Sequence, residues 1–387
     1  MSAFVRYEGG LPKSHYQTLG VKQNADAREI KSAYRKLARS LHPDVNPDAG
    51  ARMAEVNAAY EVLGNPDSRA TYDAFRRTGI KHAPKAPTEG GVGGVRHHLS
   101  VVDMPSPVYS LAFSPNNREL AIGGFDNTIR FVSRRTGKRL AEVKLEGGAV
   151  TTLRWLTRSK LAAAGASERS VSVWHIEKRK VVLSTTKRAE WVSQIALGPS
   201  GKAYLGSIHR TVLCADTESG KTVFVRRLHD DAVSALAIST DGRLLATGAN
   251  DQRVILWDAE NGREAAALTL RAPVSQLSFS PDSSQLAVSL VDHGIRVFEL
   301  QTGNLRNTLW GHEKPVEGLA YHPDGRLLAS VSRDGTIRLW NTATGEAVER
   351  LGGHSGPVKA VAFSNDGKYV AAGSLDRVVT LWAVDKG

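Results

Sequence analysis

Two groups of polar side chains have residue types and spacing that could do chemistry. The first is the tripeptide His42-Pro43-Asp44, whose imidazole and carboxylate could exchange protons or contribute to a metal site. The second is a set of His, Ser and Asp residues, such as His312, Ser332 and Asp334, which has the composition of a hydrolase triad. Whether these residues have a catalytic, metal-binding or structural role depends on the helices and strands that position them.

The second group recurs, which favours a structural role over a catalytic one. His354, Ser374 and Asp376 repeat the spacing of the first trio. A catalytic set has no reason to recur, whereas buried polar groups at repeated joints need hydrogen-bond partners. No further ligands accompany His42 and Asp44, and we find no phosphate-binding loop or positioned nucleophile. We therefore expect no metal, no cofactor and no enzymatic activity.

Composition restricts the classes of protein further. Of 387 residues, 41% are hydrophobic, which is enough to form a core, and the formal net charge is +12. The cations form no block of five, so a mildly basic surface is expected, with RNA binding kept as an alternative. The single cysteine, Cys214, excludes an internal disulfide and a Cys-based zinc ribbon. No apolar run approaches the ~18 residues of a membrane span and no signal peptide is visible, so we expect a cytoplasmic protein.

The chain changes character near residue 80. Residues 14–77 have helical periodicity, and residues 78–98 are rich in Gly and Pro. Short apolar runs separated by turn residues follow in residues 99–387. We predict a small helical domain, a flexible linker and a larger all-β domain.

The helical segment contains one clear amphipathic helix. Ile30, Tyr34, Leu37 and Leu41 form its apolar stripe, and it is expected to end before Pro43. A second stripe in residues 53–63 predicts an antiparallel partner, so that the two helices form a hairpin. The first helix also carries cations on a shared face, namely Arg28, Lys31, Arg35 and Arg39, with Lys36 beside them.

The β segment is repetitive. Similar units open at intervals of 41 or 42 residues, at Val108, Val150, Val192, Val233, Val274, Val316 and Val358. Each unit begins with alternating apolar residues, which is typical of a half-buried strand, and a tight turn follows. Such units cannot bury both faces alone, and a ring of seven four-stranded units solves this problem.

The last unit ends too soon to contain its fourth strand. Val101 lies seven residues before Val108, just as Leu309 lies seven before Val316. We therefore predict that residues 99–103 supply the outer strand of the last unit and close the ring.

These repeats resemble the WD-repeat family. Trp257-Asp258 is the pair that names the family, and Gly311-His312 and Gly353-His354 are similar to its Gly-His pair. The resemblance implies a seven-bladed β-propeller in which His, Ser, Asp and Trp of one blade form a hydrogen-bonded tetrad. The tetrads expected are His312, Ser332, Asp334 and Trp340; His354, Ser374, Asp376 and Trp382; and an incomplete set of His229, Asp251 and Trp257, where Ala249 replaces the serine. The first, third and fifth blades have Val132, Ala215 and Phe298 in place of Trp, and packing is expected to hold them.

The helical segment resembles the J-domain of DnaJ-like co-chaperones. The resemblance covers residues 14–77 and includes His15-Tyr16-Gln17-Thr18-Leu19-Gly20-Val21, the tripeptide after the basic helix, and Asn57-Ala58-Ala59-Tyr60-Glu61. It implies that the domain binds a seventy-kilodalton heat-shock chaperone and stimulates its ATPase. The chaperone-binding residues expected are His42, Pro43, Asp44, Lys31, Tyr34, Arg35 and Lys36.

The functional expectation combines both parts. The chain lacks the CxxC motifs and the Gly/Phe-rich region of the best-known DnaJ-like proteins, so the propeller stands in place of their client-binding domain. We expect a co-chaperone whose propeller binds a client, and the alternative is a scaffold, possibly RNA-associated, in which the J-domain is a secondary tether. The candidate contacts on the propeller are Phe125, Trp191 and Arg333.

Overall fold

The computed structural model describes two parts of the chain. The first comprises residues 15–41 and seven positions from 52 to 69, namely 52, 56, 59, 60, 63, 64 and 69. The second comprises residues 95–384 without 146–148, 156–159, 166–170, 176–179, 185–191, 200, 217–218, 220 and 353. The tripeptide at 42–44, Trp191 and residues 78–94 of the predicted linker lie outside the described residues.

Two helices are described in full in the N-terminal part, α1 (His15–Leu19) and α2 (Ala27–Ser40). Asp26 caps α2, because its carboxylate accepts hydrogen bonds from the amides of Arg28 and Glu29 while the Glu29 carboxylate accepts from the Asp26 amide. Asp26 is therefore the N-cap residue of α2.

A small apolar core holds these helices together. Ile30 of α2 is fully buried and packs with Tyr16 and Leu19 of α1. Val56, Ala59 and Leu63, all in helical conformation, complete this cluster. The apolar stripe of α2 is thus covered, and its cationic residues remain outside.

The remaining described chain consists of strands. In chain order these are β1 (Val95–Asp103), β2 (Val108–Phe113), β3 (Glu119–Gly124), β4 (Thr128–Ser133), β5 (Arg139–Lys144), β6 (Val150–Trp155), β7 (Lys160–Gly165), β8 (Val171–His175), β9 (Lys180–Ser184), β10 (Val192–Leu197), β11 (Lys202–Ser207), β12 (Val212–Asp216), β13 (Thr222–Arg226) and β14 (Val233–Ile238). They continue with β15 (Leu244–Ala249), β16 (Arg253–Asp258), β17 (Glu264–Thr269), β18 (Val274–Phe279), β19 (Gln285–Leu290), β20 (Ile295–Glu299), β21 (Asn304–Leu309), β22 (Val316–Tyr321), β23 (Leu327–Ser332), β24 (Ile337–Asn341), β25 (Ala347–Leu351), β26 (Val358–Phe363), β27 (Tyr369–Ser374) and β28 (Val378–Val384).

These strands form seven four-stranded antiparallel sheets within the described residues. The first sheet contains β2 to β5, and each following sheet takes the next four strands up to β25. The first strands of neighbouring sheets contact one another in chain order, and β26 of the last sheet contacts β2 of the first. The sheets are therefore arranged as the ring of a β-propeller.

The last sheet joins both ends of the described β segment. Its strand order is β1-β28-β27-β26, so β1 is the outer strand and pairs antiparallel with β28. Val101, Val102 and Asp103 lie opposite Thr380, Val379 and Val378. The predicted closing segment, residues 99–103, thus lies within β1.

One predicted boundary is wrong. Residues 95–98 belong to β1 and not to the linker, because the ladder with β28 extends to the pair Val95 and Val384. Two register shifts, at residues 95–97 and 98–100, accompany this extension. The sequence pattern missed these residues because Arg96, His97 and His98 are polar, whereas a ladder is formed by backbone groups of any residue type.

The core of the propeller lies between sheets. Leu256 of the fourth sheet packs with Val274 and Val288 of the fifth in one cluster of buried side chains. Val108 of the first sheet packs with Ala371 and Leu381 of the last in another. At these joints the facing sides of two neighbouring sheets are buried against each other.

Candidate functional site

The cations of α2 lie on an exposed face of the helix. Arg28, Lys31, Arg35 and Arg39 are exposed, and together with Lys36, Ser32 and Ser40 they line one open depression in the surface. In the described part of the chain no carboxylate forms an ion pair with these five cations. Their charge is consequently available to a partner.

Tyr34 has a different environment from the cations. Its ring stacks on Tyr60 with centroids 4.0 Å apart and an interplanar angle of 11°, and it is half-buried beside the core. The tyrosine predicted as a chaperone contact therefore also ties α2 to the helical residues around position 60.

The end of α2 leads directly into the predicted tripeptide. The Leu41 amide donates to the Leu37 carbonyl, and the Ser40 hydroxyl donates to the same carbonyl at 2.9 Å. His42, Pro43 and Asp44 follow in the sequence and lie outside the described residues. The last cation of the basic face, Arg39, is thus separated from the tripeptide by Ser40 and Leu41 alone in the chain.

A hydrogen-bonded tetrad is present in the sixth sheet. His312 Nδ1 lies 2.8 Å from Asp334 Oδ2, and His312 Nε2 lies 2.8 Å from Ser330 Oγ. Trp340 Nε1 donates to the same Ser330 oxygen at 2.8 Å. The four polar side chains thereby provide hydrogen-bond partners for one another where the loop meets the sheet.

The predicted serines of the tetrads are wrong. Ser332 Oγ donates to the Lys314 carbonyl at 2.8 Å, and Ser374 Oγ donates to the Pro357 carbonyl at 2.9 Å. Alternate residues of a strand share a face, and Ser330 and Ser332 are both fully buried, but only Ser330 lies within hydrogen-bond distance of His312 and Trp340. A hydroxyl residue ten positions before the tryptophan would have been the correct sequence signal.

The fourth sheet contains the same arrangement with threonine. His229 Nε2 lies 2.7 Å from Thr247 Oγ1, which also accepts from Trp257 Nε1 at 2.8 Å. His229 Nδ1 lies 2.9 Å from Asp251 Oδ2. The set that the sequence marked as incomplete at Ala249 is therefore complete through Thr247.

In the last sheet the hydroxyl that binds the histidine comes from a different strand, β28. His354 Nδ1 lies 3.1 Å from Asp376 Oδ2, and His354 Nε2 lies 2.8 Å from Thr380 Oγ1. Thr380 stands on β28 opposite Ala372, which occupies the position equivalent to Ser330. Trp382 is buried in this sheet.

In the first and fifth sheets an arginine binds the aspartate that histidine binds in the fourth, sixth and last sheets. Arg130 donates to Asp126 Oδ1 at 3.0 Å, and Arg296 donates to Asp292 Oδ2 at 3.1 Å. Each arginine lies four residues after its aspartate, the same offset as Thr380 from Asp376. These two blades were expected to rely on packing, and the structure adds to it an ion pair between a buried arginine and a partly exposed aspartate in each.

The ionisation of the tetrads follows from their geometry. Burial lowers the pKa of His229 and His312, and in this neutral form Nδ1 donates to the aspartate while Nε2 accepts from the hydroxyl. Burial alone would raise the pKa of Asp334, but hydrogen bonds from Thr336, His312 and backbone amides outweigh it and lower the pKa to about 2.

The stability of the propeller is expected to fall as the pH drops below about 6.5, the pKa of histidine in an unfolded chain. Between this value and the lowered folded pKa, the unfolded chain binds protons that folded His229 and His312 do not. The free energy of unfolding should decrease by up to about 1.4 kcal/mol per histidine for each pH unit. Urea denaturation of the wild type and of a His312→Asn variant at pH 7.5 and 5.5 measures this, and the variant should show the smaller difference. A wild-type stability that is equal at both pH values would contradict it.

The candidate contacts on the propeller lie on loops at one end of the sheets. Phe125 follows β3 and is 59% exposed, with its ring stacked against Tyr109 at a centroid distance of 5.8 Å. Arg333 follows β23, is exposed, and pairs with Glu317, which also binds Lys359 Nζ at 2.7 Å. The third candidate, Trp191, lies outside the described residues.

Other kinds of site find no support in the described residues. They contain no group of three or more His, Cys, Asp or Glu side chains that could hold a metal ion. No helix among them has the length and apolar character needed to cross a bilayer.

Comparison with known proteins identifies both parts. The DnaJ domain family model matches residues 14–73, and the WD domain, G-beta repeat, matches residues 303–341 and 345–383. The protein is a β-propeller of the WD-repeat class that carries an N-terminal J-domain. The model of the Nucleolar protein 10-like, N-terminal domain, matches residues 92–311, which is more than half of the chain. The chain therefore belongs to this family of propellers.

The curated relatives match the J-domain region. The chain is 51% identical over 83 residues to the chaperone protein DnaJ of Rippkaea orientalis, covering 21% of this chain and 22% of that protein. It is 57% identical over 67 residues to the DnaJ of Prochlorococcus marinus, covering 17% and 18%. The chain thus spans about a fifth of the length of the curated relatives that it matches.

Proposed function

We propose that this protein is a co-chaperone that recruits a seventy-kilodalton heat-shock chaperone through its J-domain and stimulates the ATPase of that chaperone. The observation that carries the proposal is the exposed cationic face of α2, which forms no ion pair within the described residues and precedes His42-Pro43-Asp44 in the chain. The propeller would hold the client or partner complex on which the chaperone acts.

The cationic face suits the recognition step. Lys31, Arg35 and Lys36 place positive charge on long side chains, and a capped helix with a buried stripe holds their backbone rigid. Complementary charge raises the rate at which two proteins meet in the correct orientation. The partner surface that fits is therefore acidic.

The tripeptide suits the stimulation step. His42 and Asp44 offer compact hydrogen-bonding groups, and Pro43 restricts the backbone between them. In the proposed mechanism these groups act on the chaperone, which binds and hydrolyses ATP. This protein would then accelerate the reaction of its partner and perform no chemical step itself.

Reversing one charge on α2 should weaken recruitment. Arg35→Glu is expected to raise the concentration needed for half-maximal ATPase stimulation by about tenfold, because attraction becomes repulsion at the contact. The steady-state ATPase rate of a DnaK-like chaperone, titrated with this protein at low and high salt, measures the effect. The defect of the variant should shrink at high salt, where charges are screened.

A matched substitution controls for non-specific charge effects. Lys22→Glu makes the same charge change at an exposed position just before α2 and outside its cationic face. It should leave the concentration dependence unchanged. An Arg35→Glu variant that stimulates like the wild type would contradict docking through α2.

A further inference from the structure

The exposed apolar side chains of the propeller are distributed unequally. Of the large apolar residues that are exposed in the described part of the chain, Leu140, Val223 and Val225 lie on the outer strands β5 and β13. All the others lie on loops, and we call them the apolar face: Phe125, Ile208, Leu228, Val291 and Trp310. Exposed apolar residues that gather at one end of a protein are the starting point for identifying an interaction surface.

The topology places these five residues at the same end of the ring. Phe125, Ile208 and Val291 each follow the second strand of a sheet, whereas Leu228 and Trp310 lie between the last strand of one sheet and the first of the next. Because consecutive strands alternate in direction, both kinds of loop emerge at one end. The Val291 amide donates to the Pro273 carbonyl at 3.0 Å, which joins the two kinds of loop directly.

Both exposed aromatic rings are held in position. The Trp310 ring, 56% exposed, lies over the Arg296 guanidinium with 4.6 Å from its central carbon to the ring centroid. Arg296 is itself buried and fixed by Asp292. Gly294 leaves the room for this stack, because a Cβ at that position would collide with both Arg296 and Trp310. Rings held in this way lose little conformational entropy when a partner binds.

The charges at this end favour an acidic partner. The aspartates there are largely occupied, since Asp126 and Asp292 bind arginines and three others bind the tetrad histidines. The exposed cations are not: within the described residues no carboxylate pairs with Arg210, Arg227, Arg271, Lys314 or Arg377. Among the described residues of these loops, the exposed acidic ones are Asp230, Asp231 and Glu313. The apolar face is thus bordered by free positive charge.

We propose that the apolar face binds an extended segment of a partner protein in which apolar side chains alternate with acidic ones. The apolar side chains of the segment would pack on Phe125, Ile208 and Val291, and its carboxylates would pair with the bordering arginines. Three of the five residues of this face are aliphatic, whereas nucleic-acid bases stack on aromatic rings, so a peptide fits the face as a whole better than RNA does. The proposal adds the chemistry of the client to the proposed function. It rests on that function only in treating the bound protein as a client of the chaperone.

A selection experiment tests the proposal without a chaperone. The full chain is used to select binders from a random 12-residue peptide library displayed on phage, and a Trp310→Ala, Ile208→Ser variant serves for counter-selection. We expect the enriched peptides to contain both apolar and acidic residues. Enrichment of basic peptides, or no enrichment over the counter-selection, would overturn the proposal.

Direct binding supplies the matched control. The best peptide, labelled with fluorescein, should bind the Trp310→Ala, Ile208→Ser variant at least tenfold more weakly than the wild type by fluorescence anisotropy. Leu140→Ser removes an equally exposed side chain from an outer strand and should leave the affinity unchanged. A 20-nucleotide single-stranded RNA that displaces the peptide and binds more tightly would overturn the assignment in favour of nucleic acid. The His42→Gln variant should bind the peptide normally, so failure of this proposal and failure of chaperone stimulation are distinguishable.

Discussion

A His42→Gln substitution is expected to reduce the ATPase rate of the partner chaperone to its unstimulated level. The tripeptide acts as a unit in the proposed mechanism, and glutamine lacks the ring whose geometry and charge the imidazole supplies. Asp44→Asn, which removes the negative charge while keeping the shape, should have the same result. Single-turnover ATP hydrolysis by a DnaK-like chaperone, with saturating wild-type or variant protein, measures both.

Two controls make this result specific. His209→Gln makes the same replacement at an exposed position on the propeller and should stimulate normally. A pull-down should show that the His42→Gln variant still binds the chaperone, because the α2 cations are retained. If His42→Gln and Asp44→Asn stimulate as well as the wild type, the J-domain is a tether and the scaffold interpretation replaces co-chaperone activity.

Removal of β1 is expected to destabilise the propeller more than any point substitution. The strand pairs with β28 along residues 95–103, and Val102 packs into the cluster formed by the first and last sheets. Loss of several ladder hydrogen bonds at about 1 kcal/mol each, together with the exposure of β28 as an open edge, costs about 5 kcal/mol. At about 2–4 °C per kcal/mol for a domain of this size, the Tm should fall by roughly 10–20 °C.

The experiment replaces residues 95–103 of the full chain by a Gly/Ser segment of equal length. The control replaces residues 81–89 in the same way, which preserves chain length and leaves the ladder intact. Thermal unfolding followed by circular dichroism should show the loss of Tm only for the first variant. An unchanged Tm would mean that the propeller does not depend on β1 for closure.

The repeat pattern predicted the positions of the strands well because each strand is coded locally. The predicted openings at Val108, Val233 and Val358 are the first residues of β2, β14 and β26. The tight turn predicted after the opening strand is present after β14, where Gly242 lies in the left-handed region at a φ of 72°, which glycine adopts without strain. The alternation of apolar residues and the turn residues act over a few positions, so one sequence is enough to predict the strands from them.

The tetrads show where the pattern was insufficient. Ser330 and Ser332 lie on the same strand with the same side chain, and the distance from each hydroxyl to His312 and Trp340 decides which one joins the network. The Arg296–Asp292 pair was not predicted, because the spacing of the histidines does not indicate which other residue can bind the same aspartate.

The sequence by itself determined the elements of this protein: the amphipathic basic helix, the tripeptide after it, and the repeated strands with their turns. These follow from periodicity and residue type, which act between near neighbours in the chain. Only the tertiary structure decided which hydroxyl completes each tetrad, where β1 ends its ladder, and which apolar side chains remain exposed on the propeller. Those outcomes depend on contacts between residues far apart in the sequence, whose distances are set by the closed ring and not by local spacing.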